Sequence, residues 1–185
     1  MSDTNQQYEA IEHKCQDIFI HKTKDYGTAW RVLRNISIVD QIYIKAQRIR
    51  TIQEKGEQKV GNTGDDIASE FIGIINYSII GLIQMELSEN DPEELEVDAV
   101  ETLYDRYFTA ARMLMQSKNH DYGEAWRNMT QESFVDLILM KLQRMRQIIS
   151  NKGKTLISEG LDANYYDMIN YAVFALILME ESKQQ

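Results

Sequence analysis

The sequence predicts an all-α fold made of two tandem repeats of one helical unit, and three observations support that prediction. Apolar residues recur at helical spacing through long segments without proline. No segment alternates apolar and polar residues beside turn-forming residues, as a β-strand would. The segment 25–52 aligns with 121–148 at a shift of 96 positions, and 15 of these 28 positions are identical. The duplicated unit therefore contains three to four helices.

The repeats are predicted to occupy residues 1–88 and 102–185 and to pack as an internal pseudo-dimer within one compact domain. An acidic linker is predicted over 89–101, around Pro92, the only proline in the chain. Asp91 is the expected N-cap of the helix that follows, which is predicted over 93–118. Gly27 and Gly123 fall where the first helix of each repeat must stop, which suits a left-handed residue.

Composition and charge limit the classes of function. The chain has 185 residues, of which 43% are apolar and 26% charged, as in ordinary globular domains with a sizeable core. No apolar run reaches the roughly 18 residues needed to span a membrane and no secretory signal is visible, so we expect a cytoplasmic protein without a membrane partner. The single cysteine, Cys15, excludes an internal disulfide and a thiolate zinc cage.

The net charge of −9 argues against nucleic acid as a partner. Seven acids and no base lie between Glu89 and Glu101, so the remainder of the chain carries a net charge of only −2. That remainder can hold a local basic site for a small anion. Whether the protein forms a homo-oligomer is left open by the sequence.

A lysine stands in the centre of the apolar row on the second helix of each repeat. These residues are Lys45 and Lys141, and Arg48 and Arg144 follow one turn later. A buried ammonium needs a carboxylate, a phosphate or a route to water. A Lys–Arg pair one turn apart suits a phosphate, and the alternative is that the lysines extend along the helix edge to solvent.

The last helix of each repeat contains an Asn-Tyr pair inside an apolar run, so Asn76 and Asn170 are predicted to be buried and hydrogen-bonded. Asp167 and Glu159 lie on the same helical face as Asn170. Together with an acid of the second helix they form the predicted ligands of Mg²⁺, which prefers oxygen ligands: Asp136, Glu159 and Asp167.

Two alternatives accompany this prediction of a metal site. Asp167 and Asn170 can instead satisfy Lys141 and Arg144 in an internal polar network, without any ligand. In the first repeat the middle acid of the row is absent, and Glu70 is predicted to point to another side of its helix.

The motif Asp-Tyr-Gly-x-Ala-Trp-Arg occurs twice, at 25–31 and 121–127, and a lysine precedes each copy by three residues. In a structural interpretation the turn caps a helix and its aromatic residues fill the core. In a functional one, aspartate and tyrosine reach the rim of a site, tryptophan stacks on a base, and arginine contacts phosphate. The functional interpretation predicts a nucleotide site containing Asp25, Tyr26, Trp30, Arg31, Tyr122, Trp126 and Arg127.

These motifs resemble those of the nucleotide modification associated domain 1 family, first described as domain of unknown function 1599. The resemblance rests on the lysine, the Asp-Tyr-Gly turn, Trp-Arg, the Lys and Arg of the next helix and the final "D-x-x-N-Y" helix, and it covers both repeats. The family also looks distantly similar to the all-α nucleoside triphosphate pyrophosphohydrolases of the MazG type. The resemblance implicates Asp25, Lys45, Arg48 and Asn76, and in the second repeat Asp121, Lys141, Arg144, Glu159, Asp167 and Asn170.

The sequence therefore predicts a nucleotide-binding protein that uses Mg²⁺ and that can act as a nucleoside triphosphate pyrophosphohydrolase. In such a reaction helical acids hold the metal, while lysine and arginine neutralise charge on the phosphates. The predicted catalytic residues are Asp121, Lys141, Arg144 and Asn170. The alternative is a non-catalytic helical module, structural or protein-binding, whose polar residues form internal networks.

Overall fold

The computed structural model describes residues 2–56, 63–156 and 159–184, and it confirms the all-α fold. The six long helices are α1 (Ser2–Tyr26), α2 (Asn35–Lys55), α3 (Thr63–Glu86), α4 (Val97–Tyr122), α5 (Gln131–Ser150) and α6 (Leu161–Lys183). Short 3₁₀ turns at Ala29–Val32 and Ala125–Asn128 join the first helix of each repeat to the second. Over the described ranges there is no strand.

The two repeats, α1–α3 and α4–α6, pack so that each helix contacts its counterpart in the other repeat. Helix α3 contacts α6, α2 contacts α5, and α1 contacts α4. The cross contacts are also symmetric, because α1 packs on α6 as α4 packs on α3. This pattern confirms the internal pseudo-dimer.

Helices α3 and α6 lie at the centre of the core, and both are buried along most of their length. A central helix is apolar on all sides because neighbours cover every face. The segment Asp66–Glu86 is consequently long and apolar enough to cross a membrane by length and composition alone, which corrects the expectation that no segment is. In this structure most of that segment is buried inside the protein.

The predicted glycine stops are confirmed at the ends of α1 and α4. Gly27 has φ +70° and Gly123 has φ +59°, the left-handed conformation that glycine adopts without steric cost. Their backbone N–H groups donate to the carbonyl oxygens of Thr23 at 2.8 Å and Asn119 at 2.9 Å. Each turn thus closes its helix and directs the chain into the 3₁₀ segment.

The prediction that Asp91 caps a helix starting at 93 is wrong, because α4 begins at Val97. The Asp91 carboxylate instead accepts hydrogen bonds from the Ser88 backbone N–H at 2.7 Å and the Ser88 hydroxyl at 3.0 Å. Arg31 donates to backbone carbonyls in the same segment, at Ser88, Asp91 and Pro92. These contacts hold the linker in a non-helical path.

Candidate functional site

Each repeat brings a lysine of its first helix and a lysine of its second helix to the same place on its third helix. In the second repeat the third helix supplies Asp167 there. Lys118 on α4 donates to one carboxylate oxygen of Asp167 at 2.7 Å, and Lys141 on α5 donates to the other at 2.6 Å. Burial opposes ionisation of Asp167, but the two lysines outweigh it and hold the pKa of Asp167 below its usual value. The second repeat therefore supplies one carboxylate that bridges both of its lysines.

The first repeat has the same two lysines but no equivalent acid. Lys22 and Lys45 align with Lys118 and Lys141, and Gly73 takes the position of Asp167. The Lys45 side chain lies across Gly73 so closely that a Cβ there would be 2.8 Å from Lys45 Cδ and Cε. Lys45 Nζ is 3.5 Å from a carboxylate oxygen of Glu70. Lys22 forms no ion pair with any residue of the described ranges.

The acid of the first repeat lies one turn earlier on its helix and serves mainly the arginine. Arg48 donates to Glu70 at 2.8 Å and to Asp66 at 3.2 Å. Glu70 therefore faces the cluster, and the prediction that it points elsewhere is wrong because Glu70 lies one turn before Gly73 and shares its face of the helix. In the second repeat Asn164 replaces Glu70, and the exposed Arg144 has no ion pair within the described chain.

A cavity of about 330 Å³ opens in the first repeat between α1, the 3₁₀ turn, α2 and α3. Its volume is at the lower end of the roughly 300–1,000 Å³ of ligand pockets. Lys22 and Lys45 reach it, and Gly73 forms part of its floor beside the lysines. Aromatic side chains supply much of the remaining wall: Phe19, Tyr26, Trp30 and Tyr77. The cavity thus combines apolar walls with two ammonium groups.

The corresponding tryptophan in the second repeat is covered by the protein itself. Trp126 stacks on Phe174 with ring centroids 4.2 Å apart and planes within 6°. Its indole N–H donates to Asn119 at 3.2 Å, and the Arg127 guanidinium lies 4.5 Å from the ring centroid. Both tryptophans are nearly buried, Trp126 at 6% and Trp30 at 8% exposed, but Phe174 and Arg127 cover the ring of Trp126, so the predicted base-stacking role does not fit it. Trp30 lines the open cavity and retains that role as a prediction.

The arginines of the two motifs anchor chain segments, contrary to the prediction of phosphate contacts. Arg31 binds the side chain of Gln84 and three carbonyls of the linker. Arg127 binds the start of α1 and the end of α6 through Thr4, Gln7 and Glu181. Each guanidinium is occupied by these acceptors, so Arg31 anchors the linker and Arg127 anchors the start of α1 to the end of α6.

The two buried asparagines tie the repeats together. Asn76 accepts a hydrogen bond from the Tyr104 hydroxyl at 2.7 Å, and Asn170 accepts one from the Tyr8 hydroxyl at 2.7 Å. Each amide nitrogen donates to a backbone carbonyl of α1 or α4. Asn170 is therefore a core cross-link and not a free catalytic group, which corrects its predicted role. Asn76 makes the same bonds and also borders the cavity.

The predicted metal ligands do not come together. Asp136 is exposed and lies 3.7 Å from Arg50 of α2, whereas Asp167 is enclosed by lysines and Glu159 is exposed. Within the described ranges no group of three or more His, Cys, Asp or Glu side chains could hold a metal ion. Asp136 lies on the face of α5 that meets α2, which separates it from the other two acids.

The remaining predicted residues lie at the ends of α1 and α4. Asp25 and Asp121 are exposed, and Asp121 contacts His120 at 3.2 Å without forming an ion pair to the lysines within the described chain. Tyr26 is at the mouth of the cavity, while Tyr122 is 74% exposed. The sequence assigned no role to the lysine before each motif, although its repeated spacing was a usable signal.

The family model of nucleotide modification associated domain 1 matches the chain twice, over residues 22–85 and 118–179. The two matches begin at the paired lysines Lys22 and Lys118 and cover about two thirds of the chain. The protein therefore belongs to this family, with its domain duplicated. Among curated proteins and among solved structures, no significant match is found.

Proposed function

We propose that this protein binds a nucleotide in the cavity of its first repeat. The observation behind the proposal is the pairing of an aromatic wall with two lysines, of which Lys22 has no acid partner in the described chain. Two ammonium groups beside a concave apolar surface, one of them without an acid partner, suit a ligand with a ring and an anionic group. The family's description as nucleotide-associated makes a nucleotide the natural candidate.

Within this proposal the cavity residues divide into two roles. Lys22 and Lys45 neutralise phosphate oxygens, and each is carried on a helix that packing holds in place. Trp30 in the wall and Tyr26 at the mouth offer ring faces to the base. A base enclosed by aromatic rings and a phosphate between ammonium groups would fix the ligand at both ends.

The alternative, a helical module with internal polar networks only, accounts well for the second repeat, where Asp167 satisfies both lysines. It gives no role to the cavity of the first repeat, where the exposed Lys22 has no carboxylate partner in the described ranges and lines the wall beside Lys45. This difference favours a ligand in the first repeat. Hydrolysis and dependence on Mg²⁺ stay predictions, and the pyrophosphohydrolase likeness stays one as well.

Calorimetric titration with nucleoside mono-, di- and triphosphates, with and without Mg²⁺, tests the proposal. We expect Lys22→Met to weaken binding by about 10- to 100-fold, since a hydrogen bond to a charged group contributes roughly 1.5–3 kcal/mol. Lys24→Met is the matched control, because Lys24 is exposed on the same helix and does not line the cavity.

Absence of binding across the panel, or equal affinities for Lys22→Met and the unmodified protein, would contradict the proposal. Product analysis in the samples that contain Mg²⁺ reports separately on hydrolysis. Release of a monophosphate and pyrophosphate from a triphosphate would extend the proposal to catalysis, whereas unchanged nucleotide would leave it as binding.

A further inference from the structure

We propose that the Asp167 carboxylate occupies an anion site in the second repeat. The corresponding position in the first repeat then holds the phosphate of a nucleoside monophosphate. The protein then has one open nucleotide site per chain and one closed copy of it. This inference rests on the proposed function for the identity of the ligand. The internal symmetry of the fold supplies the position.

The closed copy shows what the two lysines bind. In the second repeat one carboxylate bridges the ammonium groups of Lys118 and Lys141, with an oxygen on each at 2.7 and 2.6 Å. Lys22 and Lys45 occupy the matching positions of α1 and α2, and both border the cavity. A bridging anion with two oxygens is therefore the group that this pair of lysines is built to hold.

Gly73 is the change that opens the first copy. Asp167 projects its carboxylate from α6, whereas Gly73 projects nothing from α3, and the stem of Lys45 lies against the bare helix. The acid of the first repeat has moved one turn, to Glu70, where it pairs with Arg48 at 2.8 Å. In the proposal an anion from outside binds between the two lysines, and the flexible end of Lys45, which lies over Gly73, turns to receive it.

The side chains around the tryptophan also leave more space in the first repeat than in the second. Phe174 stacks on Trp126 in the second repeat, and its counterpart in the first is the smaller Ile80. Asn119 holds the Trp126 indole, and its counterpart is Thr23, which bonds to its own helix instead. The second repeat is thus filled by its own rings as well as by its own acid.

Charge and size select a monophosphate. A phosphate monoester near neutral pH carries up to two negative charges. Lys22 has no acid partner in the described ranges and Lys45 shares Glu70 with Arg48, so the two ammonium groups can offset those charges. Glu70 lies 3.5 Å from Lys45, so the further negative charges of a triphosphate would be held near a carboxylate. A cavity of about 330 Å³ suits one mononucleotide and is small for a dinucleotide.

The first test introduces an aspartate into the first repeat, at the position that corresponds to Asp167. Gly73→Asp places a carboxylate where Asp167 stands in the other repeat, and Gly73→Asn is the matched control of equal size without the charge. We expect Gly73→Asp to abolish binding of nucleoside monophosphates and to raise the melting temperature relative to Gly73→Asn. Equal binding by the two variants would overturn the inference.

The second test removes the carboxylate of Asp167 from the second repeat. The chain carrying only Gly73→Asp has two self-ligated repeats, so inorganic phosphate should leave its melting temperature unchanged relative to chloride at equal ionic strength. Adding Asp167→Asn should make melting phosphate-dependent, or should make refolding require phosphate if the variant does not fold in chloride. Phosphate independence of a folded double variant would overturn the inference.

The two proposals fail in different ways. If the unmodified protein binds no nucleotide but the double variant depends on phosphate, the proposed function fails and the anion position stands. If nucleoside monophosphates bind equally to Gly73→Asp and Gly73→Asn, the anion position fails and the proposed function stands. Binding of triphosphates alone would overturn the ligand class that charge and size select.

Discussion

Asp167 and Lys141 illustrate the conditions under which a helical core tolerates ionised groups. Both are about 8% exposed, and a charge at that depth is tolerated only with a partner and further hydrogen bonds. Lys118 supplies the second donor and extends to solvent, since its side chain is half exposed. The cluster consists of the buried pair Asp167–Lys141 and the half-exposed Lys118. Both lysines depend on the one carboxylate of Asp167, so its removal should lower the stability of the protein.

The pH dependence of stability should report on Asp167. Its pKa lies below the ordinary value in the folded protein, so its contribution to stability is fully present above the unfolded pKa of about 3.9. That contribution is lost as the pH falls through the lower folded pKa. We expect Asp167→Asn to cost roughly 3 kcal/mol at pH 7 and to flatten the loss of stability below pH 4, as measured by urea unfolding.

Asp136→Asn is the control for this experiment, because Asp136 is exposed and its nearest cation is 3.7 Å away. It should keep the unmodified pH profile, since surface ion pairs contribute little. An Asp167→Asn protein that loses stability in acid as steeply as the unmodified protein would show that other carboxylates control the acid transition.

At the scale of helices, the crossing of α3 and α6 depends on one small residue. Gly81 lies within α3 directly against the ring of Tyr165 on α6, and an added Cβ would overlap that ring. Tyr165 is completely buried, so the ring has no free space into which it can move. Gly81 is the reason why the two central helices can approach so closely.

Gly81→Ala should therefore destabilise the protein by about 1–3 kcal/mol in urea unfolding, although alanine favours a helix over glycine by about 1 kcal/mol. Adding Tyr165→Leu, which removes the ring, should recover part of the loss. Gly73→Ala is a useful comparison, because its Cβ meets only the flexible end of Lys45. A Gly81→Ala protein as stable as the unmodified one would mean that the helices separate without cost.

Helices, repeats and glycine stops follow from the sequence because they depend on local spacing and on self-comparison. Side-chain pairing between helices follows only in part, because the sequence offered Asp167 as a partner of Lys141 but not of Lys118. The apolar row placed Lys45 and Lys141 at the core and showed that each needs a partner, but only the packing of three helices shows that Asp167 serves two lysines. Asp136 was grouped with the wrong acids because a helical face does not reveal which neighbour covers it.

The site was predictable only in part for the same reason. Lys45, Tyr26, Trp30 and Asn76 do border the cavity. The alignment of the repeats shows that the acid is missing at Gly73, but only the fold shows that this absence leaves Lys22 without an acid partner beside a cavity. A duplicated protein can open one copy of a site and close the other through such single exchanges.

At the scale of the whole molecule, neither repeat has a complete core. Helix α3 packs against α6 of the other repeat as extensively as against α2 of its own, and the hydrogen bonds Tyr8–Asn170 and Tyr104–Asn76 both cross between repeats. A separated repeat would expose this face and leave its asparagine without a donor. The two repeats should therefore fold as one cooperative unit.

Residues 1–90 expressed alone should consequently form a homodimer, in which Tyr8 of each copy donates to Asn76 of the other. The Gly81 position supports this pairing, because its partner across the crossing would be Phe71, the counterpart of Tyr165.

Residues 89–185 should pair poorly, since Ala175 replaces Gly81 and its Cβ would meet the Tyr165 ring. Light scattering coupled to size exclusion measures both masses. Ala175→Gly should rescue the second fragment, whereas a folded monomer of residues 1–90 would show that one repeat completes its own core.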